Sequence, residues 1–198
     1  MADVKDAADK ALEQAAQDKL NRTISIVVAI SATFLSVANV KDGNIVQAMA
    51  RAQAESIDQW GYYQAKSTKQ HVAEGVLAQL QALEGLAPEG SAVREAISTQ
   101  LASWKTESDR YEAQKKDIEG KARAALAQYD ALNFRDDQFD MSEASLSLAI
   151  ALMGITALTR QRWLLALGGL FAAFGVWMGV CGFAGLPFHP NTFAEWLS

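Results

Sequence analysis

The chain has 198 residues, half of them apolar, and carries 18 Lys/Arg against 23 Asp/Glu for a net charge of -5. Residues 41–143 hold 12 of the basic and 17 of the acidic side chains, a balance that repels phosphates and excludes nucleic acid as an expected partner. The single cysteine, Cys181, rules out an internal disulfide or a cysteine-ligated cluster, and inside an apolar run it reads as a small packing residue.

In residues 1–22, Val4, Ala8, Ala11, Leu12, Ala15 and Leu20 recur at helical spacing among charged neighbours. Two readings stand: an amphipathic Ala-rich helix, or a solvated leader. The opening MADVKDAADKALEQ is charged and lacks the apolar core of a cleaved signal. Residues 23–40 (TISIVVAISATFLSVANV) form an uncharged run between Lys19/Arg22 and Lys41/Asp42, just long enough for a membrane span. Ser25, Ala29, Ala32, Ser36 and Asn39 fall on one face of it, and small residues let helices approach closely in lipid. A buried helix of a soluble protein is the alternative for so short a run; two further apolar runs argue against it.

Asp42-Gly43 predicts a break, and 44–84 then reads as one long helix without proline. Residues 85–91 (GLAPEGS) are a turn, with Ser91 the expected cap of a second helix reaching to about residue 132. Ile97, Trp104, Tyr111, Ile118, Ala125 and Leu132 recur at heptad spacing, the mark of one packed seam. The companion positions Leu101, Ser108, Lys115, Ala122 and Tyr129 are half polar. Glu112/Lys116, Asp117/Lys121 and Glu119/Arg123 are acid-first pairs suited to a water-facing flank. Two legs of equal length, about 60 Å each at ~1.5 Å per residue, predict an antiparallel, coiled-coil-like hairpin.

Residues 133–142 (NFRDDQFDMS) are acidic and aromatic and predict a surface elbow. Residues 144–159 are the second span, with Ala144, Ser147, Ala151 and Gly154 on one face, and Arg160-Gln161-Arg162 is a tight link. Residues 163–186 (WLLALGGLFAAFGVWMGVCGFAGL) hold no charge and exceed the length a bilayer requires. Gly168, Ala172, Gly175, Gly179 and Gly182 line one side of that third span and are the expected packing face. The tail, 187–198, carries Phe188, Phe193 and Trp196, which suit the membrane interface.

The expected fold is thus an all-α integral membrane protein, with three transmembrane helices and a long antiparallel helical hairpin at 41–143 outside the bilayer. Lys10, Lys19, Arg22, Arg160 and Arg162 flank the spans on one side, against Lys41, Arg51 and Arg135 on the other. The positive-inside rule therefore places the N-terminus in the cytoplasm and the hairpin outside.

The sequence contains no HExxH, paired-cysteine, Walker or GxSxG motif. His71 and His189 lie in separate segments, so neither a metal site nor another cofactor site is expected, and no charged residue lies inside a span. The stretch that stands out is Asp58, Gln59, Trp60, Gly61, Tyr62, Tyr63, Gln64, Ala65 and Lys66, with Ser67 following. Trp60, Tyr63 and Ser67 share a helix face, and aromatic bodies with polar tips suit a buried, hydrogen-bonded contact. They either pack the hairpin opposite Trp104 and Tyr111 or dock a partner.

DQWGYYQAKSTKQH, between an N-terminal span and two closely spaced C-terminal ones, resembles the bacterial family catalogued as domain of unknown function 4337, over about residues 18–184. Gly61 stands where that family more often has Ala. The resemblance implies an inner-membrane protein and supplies no catalytic residues. The expected role is that of a non-enzymatic homo-oligomeric scaffold or docking protein, in contact with the lipid bilayer and with a protein partner on the hairpin. The alternative is a subunit of a pore or transport assembly in which Ser25, Ser36 and Ser147 line the path.

Overall fold

The computed structural model describes the backbone of residues 2–188 and the side chains of residue 10 and of 12–188. The expected apolar face of Val4, Ala8 and Ala11, and the tail residues His189, Phe193 and Trp196, lie outside the described side chains. The described residues are all-helical, in three helices: α1 (Ala2–Leu86), α2 (Ala92–Thr159) and α3 (Arg162–Ala184). Each contains a stretch long and apolar enough to cross a membrane.

Two predicted interruptions are instead helical. Asp42-Gly43 lies within α1, and the expected elbow at 133–142 lies within α2. The physical reason is that neither stretch contains a residue that forbids a helix. A lone glycine costs only roughly 1 kcal/mol in a helix interior. Across Gly43, Asn44 donates its side-chain amide to the Val40 carbonyl, 3.0 Å away. Residues 133–142 contain neither Gly nor Pro, and they bury Gln138, Phe139 and Ser142 on one side.

The real helix ends carry chemistry that stops a helix. After α1, Pro88 and left-handed Gly90 (φ 75°) make the turn, and Ser91 accepts the Arg94 amide as the expected cap. α3 ends on left-handed Gly185 (φ 65°), whose neighbour Leu186 donates its amide to the Cys181 carbonyl before Pro187. Between α2 and α3, Arg160 itself takes a left-handed backbone (φ 58°), which side chains disfavour.

The chain divides into two compact units. In the first, formed by residues up to 48 and from 131 onward, α2 and α3 run antiparallel in a fixed register. A Cβ at Gly182 would meet Phe139, one at Gly175 would meet Leu146, and one at Gly168 would meet Met153. Leu146, Ala149, Met153, Met178 and Cys181 are wholly buried or nearly so and form the core of this unit. α1 contributes Ile24, Ser31, Ala38 and Ile45, seven apart, and the ring of Phe34, which lies edge-on to Phe183 at 6.1 Å. The hydroxyls of Thr23, Ser25, Thr33 and Ser36 donate to carbonyls four residues back, so the apolar helix leaves them satisfied.

In the second unit, residues 49–130, the arms of α1 and α2 lie alongside each other in opposite directions. Ser56 donates to the Ala122 carbonyl, Lys66 sits over the Tyr111 ring and Lys115 over the Tyr63 ring, pairs whose numbers sum to 177 or 178. Within this unit the predicted heptad positions from Ile97 to Ala125 and their companions are all half-buried or buried, with Ala122 fully so and Ser108 and Ala125 nearly so. The three acid-first pairs form as exposed salt bridges at 3.0, 2.7 and 2.8 Å, each contributing only ~0.3–0.5 kcal/mol.

Candidate functional site

The helical period divides the aromatic motif of α1. Trp60, Tyr63, Lys66 and Ser67 are half-buried on the side facing α2, as is Gln59. Trp60 and Tyr63 meet edge to face at 5.5 Å. Lys115 lies 5.2 Å from the Tyr63 ring centre and donates to Gln70 at 3.1 Å, while Lys66 lies 5.5 Å from the Tyr111 ring centre. The inner half of the motif is therefore a ladder of alternating cations and rings, a contact that favours aromatic faces over plain apolar ones. Asp58, Tyr62 and Gln64 point the other way, with Tyr62 62% exposed.

His71 is a solvated side chain bonded at 3.2 Å to Glu74, whose carboxyl sits below its ordinary range mainly through that bond. Nearer the turn, an open groove of about 430 Å³ is bordered by Leu77, Gln81, Glu84, Lys105 and Asp109. Among the described residues, no three of His, Cys, Asp and Glu are grouped to hold a metal ion.

The five small residues of α3, Gly168, Ala172, Gly175, Gly179 and Gly182, are all buried. A Cβ at Gly175 would stand 2.7 Å from Leu146 Cγ, and one at Gly182 2.8 Å from Phe139. One at Gly179 would collide with the Phe34 ring and approach Ser142 Oγ to 2.8 Å. Hydrogen at these positions is what lets three helices close on one another. The small faces foreseen on α1 (Ser25, Ala29, Ala32, Ser36, Asn39) and α2 (Ala144, Ser147, Ala151, Gly154) behave differently. Every one of those residues is exposed.

Several residues of the first unit escaped sequence reasoning. Arg135 donates twice to the Gly182 carbonyl, at 2.9 and 3.1 Å. Gln138, fully buried, donates its amide to the carbonyls of Leu186 and Phe188 at 2.9 and 2.6 Å. These two side chains of α2 satisfy carbonyls that the end of α3 leaves open. A signal did exist: Gln138, Ser142, Leu146, Ala149, Met153 and Thr156 are spaced 4, 4, 3, 4 and 3, a single inner face through the supposed elbow.

On the other side of the same turn of α2, Asp136 lies beside Asp42 of α1. Their Oδ1 atoms are buried, and the two carboxyls are close enough to share a proton in a hydrogen bond. Burial, then the charge of Asp42 and the hydrogen bond to it, then Asp140 and Asp137 push the Asp136 carboxyl up to about 6. Asp140 is raised as well, by burial first and then by the charges of Asp42, Asp137 and Glu143.

What these features define, among the described residues, is an all-helical fold of three helices, each with an apolar stretch of membrane length, and a polar-aromatic ladder between two long helical arms. The chain belongs to the family described as Domain of unknown function (DUF4337), whose model matches residues 20–185. No curated protein and no solved structure matches it.

Proposed function

We propose that the chain is a non-enzymatic, homo-oligomeric protein of a bacterial inner membrane that serves as a scaffold or docking platform. Residues 23–40, 144–159 and 163–186 cross the bilayer, and 41–143 lie outside it as a helical hairpin. The observation that carries this reading is the fate of the three small-residue faces. That of α3 is spent inside the chain, whereas those of α1 and α2 are exposed on apolar helices. An exposed small-residue face in lipid gains little from the solvent and much from a second helix backbone.

Orientation follows from charge. The basic residues of the N-terminal flank and of the Arg160–Arg162 link put those segments in the cytoplasm and the hairpin in the periplasm. The outward half of the motif, Asp58, Tyr62 and Gln64, then offers a polar-aromatic patch to a protein partner.

A pore subunit is the second reading, because Ser25, Ser36 and Ser147 are exposed on the outward faces. The hydroxyls of Ser25 and Ser36 are already returned to their own helix, which favours the scaffold. The test is the mass of the purified assembly in detergent after Ala32→Leu with Ala151→Leu. Helix content should be unchanged and the assembly smaller; an assembly of wild-type size refutes the packing role of these faces. An axial opening in images of the wild-type assembly would select the pore.

A further inference from the structure

Charge in the unit formed by residues up to 48 and from 131 onward is unevenly divided between its two ends. The antiparallel register of α2 and α3 puts the Arg160–Arg162 link at the end away from Phe139 and Gly182. α1 runs parallel to α3: Phe34 meets Gly179, and Asp42, further along, reaches Asp136 at the Phe139 end. Lys19 lies as far back from Phe34 as Leu164 does from Gly179. At ~1.5 Å per residue, Lys19 and Arg22 are level with the link.

All four cations are exposed. Among the described residues none of them makes an ion pair. Asp18 is the nearest acid in sequence, and residues 144–188 contain no Asp or Glu at all. Beside the link, Leu158 is 86% exposed and Trp163 63% exposed.

We propose that this end of the unit, Lys19, Arg22, Arg160 and Arg162 with Leu158 and Trp163 beside them, is a binding surface for the headgroups of anionic phospholipids. The proposal deepens the membrane reading and rests on it. A guanidinium presents paired N–H donors that match two phosphate oxygens, and two of them on a short link suit a phosphodiester headgroup. The indole of Trp163 is amphipathic and settles at headgroup depth, with Leu158 on the acyl side. Each unpaired cation close to an anionic bilayer raises the affinity about fivefold. The opposite end of the unit carries Asp42, Asp136, Asp137, Asp140 and Glu143 against Lys41 and Arg135, an acidic balance that disfavours the same lipids.

The experiment reconstitutes the full chain in vesicles of phosphatidylcholine, alone or mixed with phosphatidylglycerol. Carbonate extraction is read first, because a wild-type chain stripped from both vesicles overturns the membrane reading and this proposal together. For a retained chain, the melting temperature should rise by several degrees with phosphatidylglycerol. Arg160→Gln with Arg162→Gln should lose most of that rise while melting like wild type in phosphatidylcholine. Should the link variant be unstable there, Lys19→Gln with Arg22→Gln carries the same comparison. A wild-type chain indifferent to phosphatidylglycerol, or a variant that keeps the full rise, overturns the headgroup site alone. So does an equal rise from inorganic phosphate added to phosphatidylcholine vesicles.

Discussion

Two glycines of α3 separate the uses that residue has in a membrane-length helix. Gly175 faces Leu146 so closely that an added Cβ would stand 2.7 Å from its Cγ and 3.1 Å from its backbone nitrogen. Gly175→Ala should therefore overpack the seam and cost about 1–3 kcal/mol, lowering the melting temperature in detergent. Gly169 has nothing within 4 Å of its Cβ position. Gly169→Ala should recover helix propensity and gain up to ~1 kcal/mol. If both substitutions shift stability the same way, the seam does not hold α3 as described. In the motif, Trp60 is only half-buried against Tyr63. Full burial would make Trp60→Ala cost ~3–5 kcal/mol, so roughly half of that is expected here, read by urea unfolding of the full chain. A loss above 4 kcal/mol would place the ring in a tighter contact than the one observed.

At the scale of elements, what ends α3 comes from α2. Gln138 gives both amide hydrogens to the carbonyls of Leu186 and Phe188, and Arg135 holds the carbonyl of Gly182. Gln138→Leu fills similar volume but strands those carbonyls, and because Leu186 and Phe188 are themselves exposed the cost falls at the low end of about 1–3 kcal/mol each. The expected signature is local. Deuterium uptake at Gly185, Leu186 and Phe188 should rise while peptides from α1 keep their protection; unchanged uptake would mean that water or Arg135 suffices. The α2–α3 link carries the opposite lesson. Arg160 pays a left-handed backbone penalty of ~1–2 kcal/mol, so Arg160→Gly should stabilise the chain in a zwitterionic detergent, checked by its melting temperature.

For the molecule as a whole, the pH response is set where α1 and α2 bring Asp42, Asp136 and Asp140 together. Asp136 holds its proton up to about 6 in the folded chain, against about 3.9 in an unfolded one. Between those values the folded state binds more protons, so stability is fully present below about pH 4 and falls as pH rises through 6. Asp136→Asn keeps the volume and supplies a permanent donor for Asp42. It should flatten the dependence between pH 4.5 and 7 in a thermal melt series. A wild-type series without that slope would show that the carboxyls separate or draw in counterions.

The order of three membrane-length helices, the turn at 85–91, the α3 packing face and the inner heptad of α2 were all legible in the sequence. Each is decided by neighbours along one helix: a run of apolar side chains, a Pro and two Gly, a stripe of glycines. Asp42-Gly43 and 133–142 look like breaks for the same reason, since acids and a glycine resemble one when no partner is in view. Tertiary contact alone decided that Gln138, Phe139 and Ser142 continue an inner face and that Arg135 caps another helix. It also decided which of three similar small-residue faces is spent within the chain. Periodicity fixes which residues share a side of a helix. Which side turns inward depends on what the other helices bring to it, and here α2 and Phe34 bring the bulk that only the α3 glycines have room for.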